Sequence, residues 1–185
     1  MNFNKHLSLE GQHAFLGASK YHWINYSDDK VAASYKAFLA TQRGTELHDF
    51  ACRCIRLGQK LPKSQKTLNM YVNDCIGYRM TPEQLLWYSD NCFGTADAIS
   101  FRKNLLRVHD LKTGSITAHA EQLWIYDALF CLEYHKDPKE IEIENRIYQH
   151  DDVMVDIPDP QVISGIMEKI VRFDTVIDKI IEQEG

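Results

Sequence analysis

Apolar residues recur every three to four positions in the first part of the chain, a spacing that predicts amphipathic helices. One such stripe predicts a helix over residues 28–43. Gly44 interrupts the stripe and Thr45 is a residue type that caps helices, so a second helix is predicted over residues 45–58. A third helical pattern covers residues 64–78. The chain is therefore predicted to begin with a helical region.

Farther along, the period of the apolar positions changes to two, which is typical of strands. Residues 81–83 are predicted to form a turn, followed by strands over residues 84–89, 92–101 and 105–113. In the second strand, bulky or polar residues alternate with small ones. One face would carry Phe93, Thr95, Asp97, Ile99 and Phe101, and the other Gly94, Ala96, Ala98 and Ser100. The small face would let a helix pack closely on this strand.

The last third of the chain alternates between the two periods. Helical spacing covers residues 118–135, and an alternating pattern predicts a strand over residues 140–148. Asp159-Pro160 is predicted to start the last helix, because proline is favoured in a first helical turn. The apolar stripe of this helix would pack on its own domain or against a second subunit. This order of elements predicts an α/β fold with a mixed central β-sheet flanked by helices.

Composition and length are those of a globular protein, since 44% of the 185 residues are hydrophobic. We expect one domain over residues 1–185, divided into a helical region (1–43), a core (44–158) and a C-terminal helix (159–185). No stretch has the length of a membrane span, the N-terminus lacks the apolar core of a signal peptide, and the five cysteines are scattered. These features predict a cytoplasmic protein without a membrane partner. The net charge of −5 argues against a protein that coats nucleic acid by bulk charge.

Two carboxylates and a lysine are predicted to converge on neighbouring strands. Asp97 lies on one strand, and Asp110 and Lys112 share a face of the next. Two carboxylates at one place repel each other unless a cation lies between them, and oxygen ligands suit Mg²⁺ or Mn²⁺. Such a metal polarises a phosphoryl oxygen, while Lys112 can stabilise the charge that develops. The trio indicates phosphodiester hydrolysis, although this spacing is also common on solvated strands.

Three more side chains could join this site. His48 is predicted to lie in the first turn of the second helix, where its imidazole could bind a metal. Gln122 and Tyr126 are four residues apart, so they share a helix face and could bond phosphate oxygens. Each residue also has an ordinary interpretation. His48 could be satisfied by a neighbouring side chain, Lys112 could be a surface lysine, and Gln122 and Tyr126 could lie on a half-buried helix.

Four motifs in this order resemble the RecB-like branch of the PD-(D/E)XK nucleases, across residues 44–126. They are Gly44-Thr45-x-x-His48, Gly94-Thr95-Ala96-Asp97, Asp110-Leu111-Lys112-Thr113 and Gln122-x₃-Tyr126. The segment from His13 to Ser19, followed by Trp23, is similar to a phage and prophage group within that branch. The resemblance implies a restriction-endonuclease-like core.

The resemblance also implies a role for each motif residue. The metal ligands, for Mg²⁺ or Mn²⁺, would be His48, Asp97, Asp110 and the backbone carbonyl of Leu111. Lys112 would be the catalytic lysine, and Gln122 and Tyr126 would steady that lysine and the DNA backbone. Asp110 stands where glutamate is more common in this branch. Some members hold an iron–sulfur cluster through clustered cysteines, but only Cys131 follows Asp110, so we expect no cluster here.

The function implied by the resemblance is metal-dependent hydrolysis of DNA, with an exonuclease as the favoured type. The setting would be phage or prophage recombination, replication or repair in a bacterial or phage-infected cell. A recombination annealing protein, a helicase or a second copy of the chain could be a partner. Two alternatives stay open. One is a catalytically silent nuclease fold that binds DNA or a protein partner, and the other is a metal-dependent hydrolase of another phosphoester such as RNA.

Overall fold

The structure is a computed structural model that describes residues 14–114 and 119–184. The chain separates into two compact units, one up to Thr45 and one from Glu46 onward. The first unit contains a 3₁₀ helix (Ala18–Asn25), where the Trp23 indole donates a hydrogen bond to the carbonyl of Gly17 at 3.0 Å. Of the N-terminal motif, His13 lies outside the described residues. A single domain over the whole chain stays a prediction.

The first α-helix, α1, runs without a break from Asp28 to Leu57. The expected break at Gly44 and the expected helix start at Thr45 are therefore wrong. A glycine inside a helix costs only about 1 kcal/mol relative to alanine, which the rest of the helix can offset. The Thr45 hydroxyl bonds back to the carbonyl of Thr41 at 3.3 Å instead of capping a new helix. As a result, His48 lies inside a long helix and not in a first turn.

Five strands form one mixed sheet, as the sequence predicted in outline. They are β1 (Thr81–Ser89), β2 (Cys92–Arg102), β3 (Leu105–Leu111), β4 (Glu142–Gln149) and β5 (Asp152–Asp156). Their order in the sheet is the order along the chain, and all neighbours are antiparallel except β3 and β4, which are parallel. The parallel step requires a crossover, and α3 (Glu121–Glu133) lies in it.

Two strand predictions need correction. β1 already starts at Thr81, so the turn expected over residues 81–83 is part of the strand; Pro82 is tolerated because β1 is an edge strand. The strand β5 was missed altogether. Its hairpin turn consists of His150 and Asp151, both with positive φ, and neither is the glycine or asparagine that usually marks such a turn. Asp151 is held there by bonds from the amide and hydroxyl of Thr67.

Helices cover the sheet and bury two apolar clusters. One cluster joins the sheet to α3 and to α4 (Pro160–Glu184), and the other joins it to α1 and to α2 (Thr67–Gly77). The helices α2, α3 and α4 confirm the predicted ones apart from their ends, whereas α1 replaces two predicted helices. Among the described residues, no helix is both long enough and apolar enough to span a membrane.

The alternation along β2 changes phase at Asp97. Ala96 and Ile99 both belong to the cluster beneath α3, whereas Ala98 belongs to the cluster beneath α2. Strict alternation cannot place residues 96 and 99 on the same face of a strand. The predicted single face running from Phe93 to Phe101 is therefore wrong, because the alternation slips between Ala96 and Ala98. Asp97 lies between these two residues, where the alternation of side chains between the two faces of the sheet shifts by one residue.

A buried acid–amide pair links α3 to β4. Asn145 donates a hydrogen bond from Nδ2 to Oδ2 of Asp127 at 2.7 Å, and both side chains are fully buried. Burial raises the pKa of Asp127 to about 8. Between the ordinary pKa of an aspartate, 3.8, and about 8, the folded protein holds a proton that the unfolded chain has released. Stability therefore falls as the pH rises through this window.

We expect Asp127→Asn to flatten the dependence of the unfolding free energy on pH. The slope between about pH 4 and pH 8 should decrease by up to about 1.4 kcal/mol per pH unit, since asparagine carries no titrating proton and keeps an acceptor for Asn145. Urea denaturation at a series of pH values measures this slope. Asp90→Asn, at an exposed turn, is the control and should leave the slope unchanged. An unchanged slope in Asp127→Asn would contradict a buried proton at this position.

Candidate metal centre

The candidate site is built around the end of β3, next to Asp97 of β2. β3 ends at Leu111, two residues before its predicted end, so Lys112 is the first residue after the strand. Leu106 and Val108 face the core beneath α3, and Asp110 follows in the same alternation. Lys112 keeps this direction, because its Nζ bonds Oδ1 of Asp110 at 3.1 Å. The predicted shared face of Asp110 and Lys112 is thus confirmed.

Lys112 is held from two sides. Besides its bond to Asp110, its Nζ donates to Oε1 of Gln122 at 2.8 Å. The other end of the same amide, Nε2, donates to the hydroxyl of Tyr126 at 3.1 Å. Gln122 and Tyr126 lie one turn apart on α3, so the helix presents both to the strand end. The chain of bonds fixes the position of the Lys112 ammonium.

Gly94 allows α3 to come this close to the sheet. A Cβ atom at Gly94 would lie 3.0 Å from Cε1 of Tyr126, which is closer than such atoms normally approach. Gly94 is one of the small residues predicted to let a helix pack closely on β2. It does so beside the ring of Tyr126, the last residue in the chain of hydrogen bonds from Lys112 through Gln122. A side chain at Gly94 would displace this ring and, through it, Gln122.

Asp97 and His48 form the second half of the site. Oδ2 of Asp97 accepts a hydrogen bond from the backbone amide of Leu111 at 2.8 Å and lies 3.5 Å from Nδ1 of His48. The helix α1 brings His48 to this position, although not from a first turn as predicted. Regular pairing between β2 and β3 stops at Ala98. Beyond that point, the hydrogen bond from the Leu111 amide to Asp97 holds β2 to the end of β3.

Glu83 is a member of the site that the sequence reasoning missed. In the β1–β2 register, Pro82 pairs with Ala98 and Gln84 with Ala96, which puts Glu83 opposite Asp97. Ligand atoms of His48, Glu83 and Asp97 all lie within 4.8 Å of one another. No pattern in the sequence pointed to this pairing, because a register shift between Trp87 and Ser89 moves residue 83 from opposite Ala98 to opposite Asp97. Assigning residues 81–83 to a turn hid the relation.

The electrostatics of the site are those of crowded negative charge. Burial raises the pKa of Asp110, and the nearby charge of Asp97 raises it further against the opposing effect of Lys112. Burial and Asp97 likewise raise the pKa of Glu83. The hydrogen bond to Asp97 raises the pKa of His48 above its ordinary value. Among the described residues, Glu83, Asp97 and Asp110 thus lie in one region with Lys112 and His48, and added positive charge would relieve the repulsion between these acids.

The donor set fits a divalent metal ion. Oδ2 of Asp110 is buried and has no hydrogen-bond partner among the described residues, so it is an acceptor without a donor. Carboxylate oxygens together with one imidazole nitrogen suit Mg²⁺ or Mn²⁺. A cation beside Asp97 and Asp110 would satisfy the orphan oxygen and relieve the repulsion that raises the pKa of Asp110. The role expected for the Leu111 carbonyl stays a prediction.

The structure therefore brings the sequence-predicted side chains into one connected region. Hydrogen bonds or close charge contacts join His48 to Asp97, Asp110 to Lys112, and Lys112 through Gln122 to Tyr126. The two halves meet where Oδ2 of Asp97 accepts the hydrogen bond from the amide of Leu111, the residue after Asp110. The cluster of ligand atoms within 4.8 Å of one another contains His48, Glu83 and Asp97 but not Asp110. A scan of protein-family models, a search of curated proteins and a search of solved structures each return no match.

We expect Mn²⁺ to stabilise the folded protein, and Asp110→Asn to lose most of this effect, because the variant removes an anionic ligand. A ligand at about a hundred times its dissociation constant stabilises by about 2.7 kcal/mol. Thermal unfolding with and without MnCl₂ measures the shift. Asp49→Asn, an exposed neighbour of His48, should keep the full shift. An equal shift in wild type and Asp110→Asn would contradict a metal at this carboxylate.

Glu83→Gln should weaken Mn²⁺ binding by about tenfold, because the variant loses one anionic donor but keeps the size of the side chain. Isothermal titration calorimetry gives the dissociation constant directly. The same Asp49→Asn variant serves as the reference for a carboxylate lost nearby on the surface. Unchanged affinity in Glu83→Gln would remove Glu83 from the ligand set and leave it as a neighbour of Asp97.

Proposed function

We propose that the chain is a metal-dependent DNA nuclease with a PD-(D/E)XK core of the RecB-like type, acting as an exonuclease. The motif order along residues 44–126 suggested this function, and the arrangement of side chains supports it. The mixed sheet flanked by helices is compatible with such a core. The site has the parts that hydrolysis of a phosphodiester needs, namely an acidic metal-binding cluster and a positioned cation.

One observation carries the proposal: the Lys112 ammonium is held between Asp110 and Gln122, beside a buried carboxylate oxygen without a donor. A lysine that only balanced the charge of Asp110 would not need a second bond to an amide that is itself fixed by Tyr126. Pre-positioned donors at an acidic site are typical of enzymes that stabilise charge in a transition state.

The proposed mechanism assigns one task to each group. Asp97, Asp110, His48 and Glu83 would hold Mg²⁺ or Mn²⁺, which when bound supplies a polarised phosphoryl oxygen and a more acidic water. Lys112 directs its ammonium at the negative charge that builds up on the phosphate as the attacking oxygen approaches. The side-chain carbonyl of Gln122 holds Nζ of Lys112 in place. The hydrogen bond to the Tyr126 hydroxyl keeps the side-chain amide of Gln122 from rotating.

A groove of about 200 Å³ adjoins the lysine and gives a substrate strand a place to lie. Lys112 and Gly114 form one side of it, and Leu47, Leu68 and His150 contribute to the remainder. Its lining is mostly apolar, which suits the flat faces of bases and sugars more than a free phosphate. In this proposal the phosphate lies at Lys112 and the neighbouring nucleotide occupies the groove.

The proposed cellular role follows from the same resemblance. The enzyme would act in the cytoplasm of a bacterial or phage-infected cell, in recombination, replication or repair of phage or prophage DNA. A recombination annealing protein or a helicase would be a fitting partner, because both produce or expose DNA ends.

The decisive experiment compares wild type with Lys112→Ala on linear duplex, circular duplex and single-stranded DNA, with Mg²⁺ or Mn²⁺. We expect degradation of linear but not circular DNA, reduced about 10²–10⁴-fold in the variant because the positioned charge is lost. Lys139→Ala, at an exposed turn away from the site residues in the sequence, should retain full activity.

The other outcomes separate the alternatives. Cleavage of circular DNA would indicate an endonuclease. Cleavage of RNA in preference to DNA would indicate a different phosphodiester substrate at the same site. If no substrate is cleaved and both proteins bind DNA equally well, the chain is a nuclease-like binding module, and the proposal of catalysis is wrong.

A further inference from the structure

The C-terminal half of α4 carries large apolar side chains that the described residues leave uncovered. Five of them expose between 39% and 57% of their surface: Phe173, Val176, Ile177, Ile180 and Ile181. They fall within nine residues of one helix, so they form a continuous patch. We call this patch the α4 seam. Isolated apolar residues on a surface are normal, whereas a contiguous apolar patch of about 300–600 Å² is often functional.

The seam continues a stripe that is buried earlier in the same helix. Ile163, Ile166 and Ile170 pack in the core beneath α3. Phe173, Ile177 and Ile180 prolong the same alternating three- and four-residue spacing. This is the heptad spacing with which helices pack side by side as coiled coils. The first half of the stripe has its partner inside the chain, and the second half has none among the described residues.

Polar bonds, and not the seam, hold the second half of α4 to its own chain. Asp174 accepts hydrogen bonds from the Ser89 hydroxyl at 2.6 Å and from Asn91 at 2.9 Å, and Asp178 accepts one from Asn91 at 3.1 Å. These contacts fix the helix against the β1–β2 turn. Because Asp174 and Asp178 occupy the side that faces this turn, the seam is left on an adjoining side of the helix.

We propose that the α4 seam pairs with the α4 seam of a second copy of the chain, in antiparallel orientation about a two-fold axis near Ile177. The charges on the helix select this occupant and this direction. Apart from Asp174 and Asp178, which bond Ser89 and Asn91, the charged residues are Glu168, Lys169 and Arg172 before Ile177 (net +1) and Lys179, Glu182 and Glu184 after it (net −1). Lys169 lies four residues before Phe173 and Glu184 four residues after Ile180, so these two charges share the face of the seam. Antiparallel pairing brings the basic end of one helix beside the acidic end of the other, twice in each dimer. A parallel pair would instead place like charges together.

The size of the seam sets the strength of this dimer. Five half-exposed apolar side chains amount to roughly 400 Å² per chain, in the range of patches that serve as interaction sites. The flanking charged stems add to this area. Interfaces below the usual standard size belong to complexes that dissociate on dilution. We therefore expect an equilibrium between monomer and dimer that depends on concentration and weakens at high salt.

The test measures mass against concentration by sedimentation equilibrium, for the full chain. Wild type should form a dimer, and Ile180→Glu should raise the dissociation constant by about a hundredfold or more, since two buried isoleucines are lost per dimer. Val171→Gln, an exposed apolar residue on the same helix but off the seam, adds no charge beside Lys169 and should dimerise like wild type. Circular dichroism checks that each variant is folded. A monomeric wild type, a higher oligomer, or a dimer that Ile180→Glu leaves intact would overturn the proposal.

Charge reversal tests the direction independently of the apolar contacts. Lys169→Glu should weaken the dimer about tenfold, and adding Glu184→Lys to the same chain should restore it. Restoration follows only if opposite ends of the two helices meet. If Lys169→Glu leaves the dimer unchanged, or Glu184→Lys fails to restore it, antiparallel pairing is wrong. The result is independent of nuclease activity, because none of these residues belongs to the metal centre.

Discussion

The buried carboxylate of Asp110 is the constraint around which the rest of the structure is arranged. A charged group at the end of a central strand is costly unless other groups compensate it. One oxygen is paired with Lys112, and the other has no donor among the described residues. The nearby Asp97 makes the position less favourable still, as the raised pKa of Asp110 shows. A divalent cation would resolve this conflict, and this is the reason we propose a metal centre here.

The fold supplies this position through its one parallel step. β3 lies in the middle of the sheet, pairs in parallel with β4 and is covered on both faces, so the end of β3 is enclosed. The crossover places α3 directly after that strand, and its close approach at Gly94 brings Gln122 and Tyr126 to Lys112. On the other side, α1 contributes His48 and β1 contributes Glu83. The elements α1, β1, β2 and α3 thus each provide a side chain that either carries charge or fixes a neighbour.

Stability and function are in tension at this centre. Acids held together in a buried region destabilise the folded protein in the absence of a counter-ion, and the same crowding favours tight binding of a cation. The Asp127–Asn145 pair, next to Tyr126 on α3, shows a different solution. There the acid pairs with a neutral amide, and burial raises the pKa of Asp127 to about 8, which favours the uncharged acid at neutral pH.

The sequence by itself determined the local features and the short-range geometry. Periodicity indicated four of the strands and the later helices, and residues two apart on one strand or four apart on one helix could be assigned to a shared face. Asp110 with Lys112 and Gln122 with Tyr126 were found in this way. Only the tertiary structure decided what depends on distant partners: the uninterrupted α1, the change of phase at Asp97, the turn that makes β5 possible, and the place of Glu83 opposite Asp97. The reason is physical, because a helix tolerates one glycine, a strand shifts its phase and a turn accepts positive φ when the packing and hydrogen bonds of other segments offset the local cost.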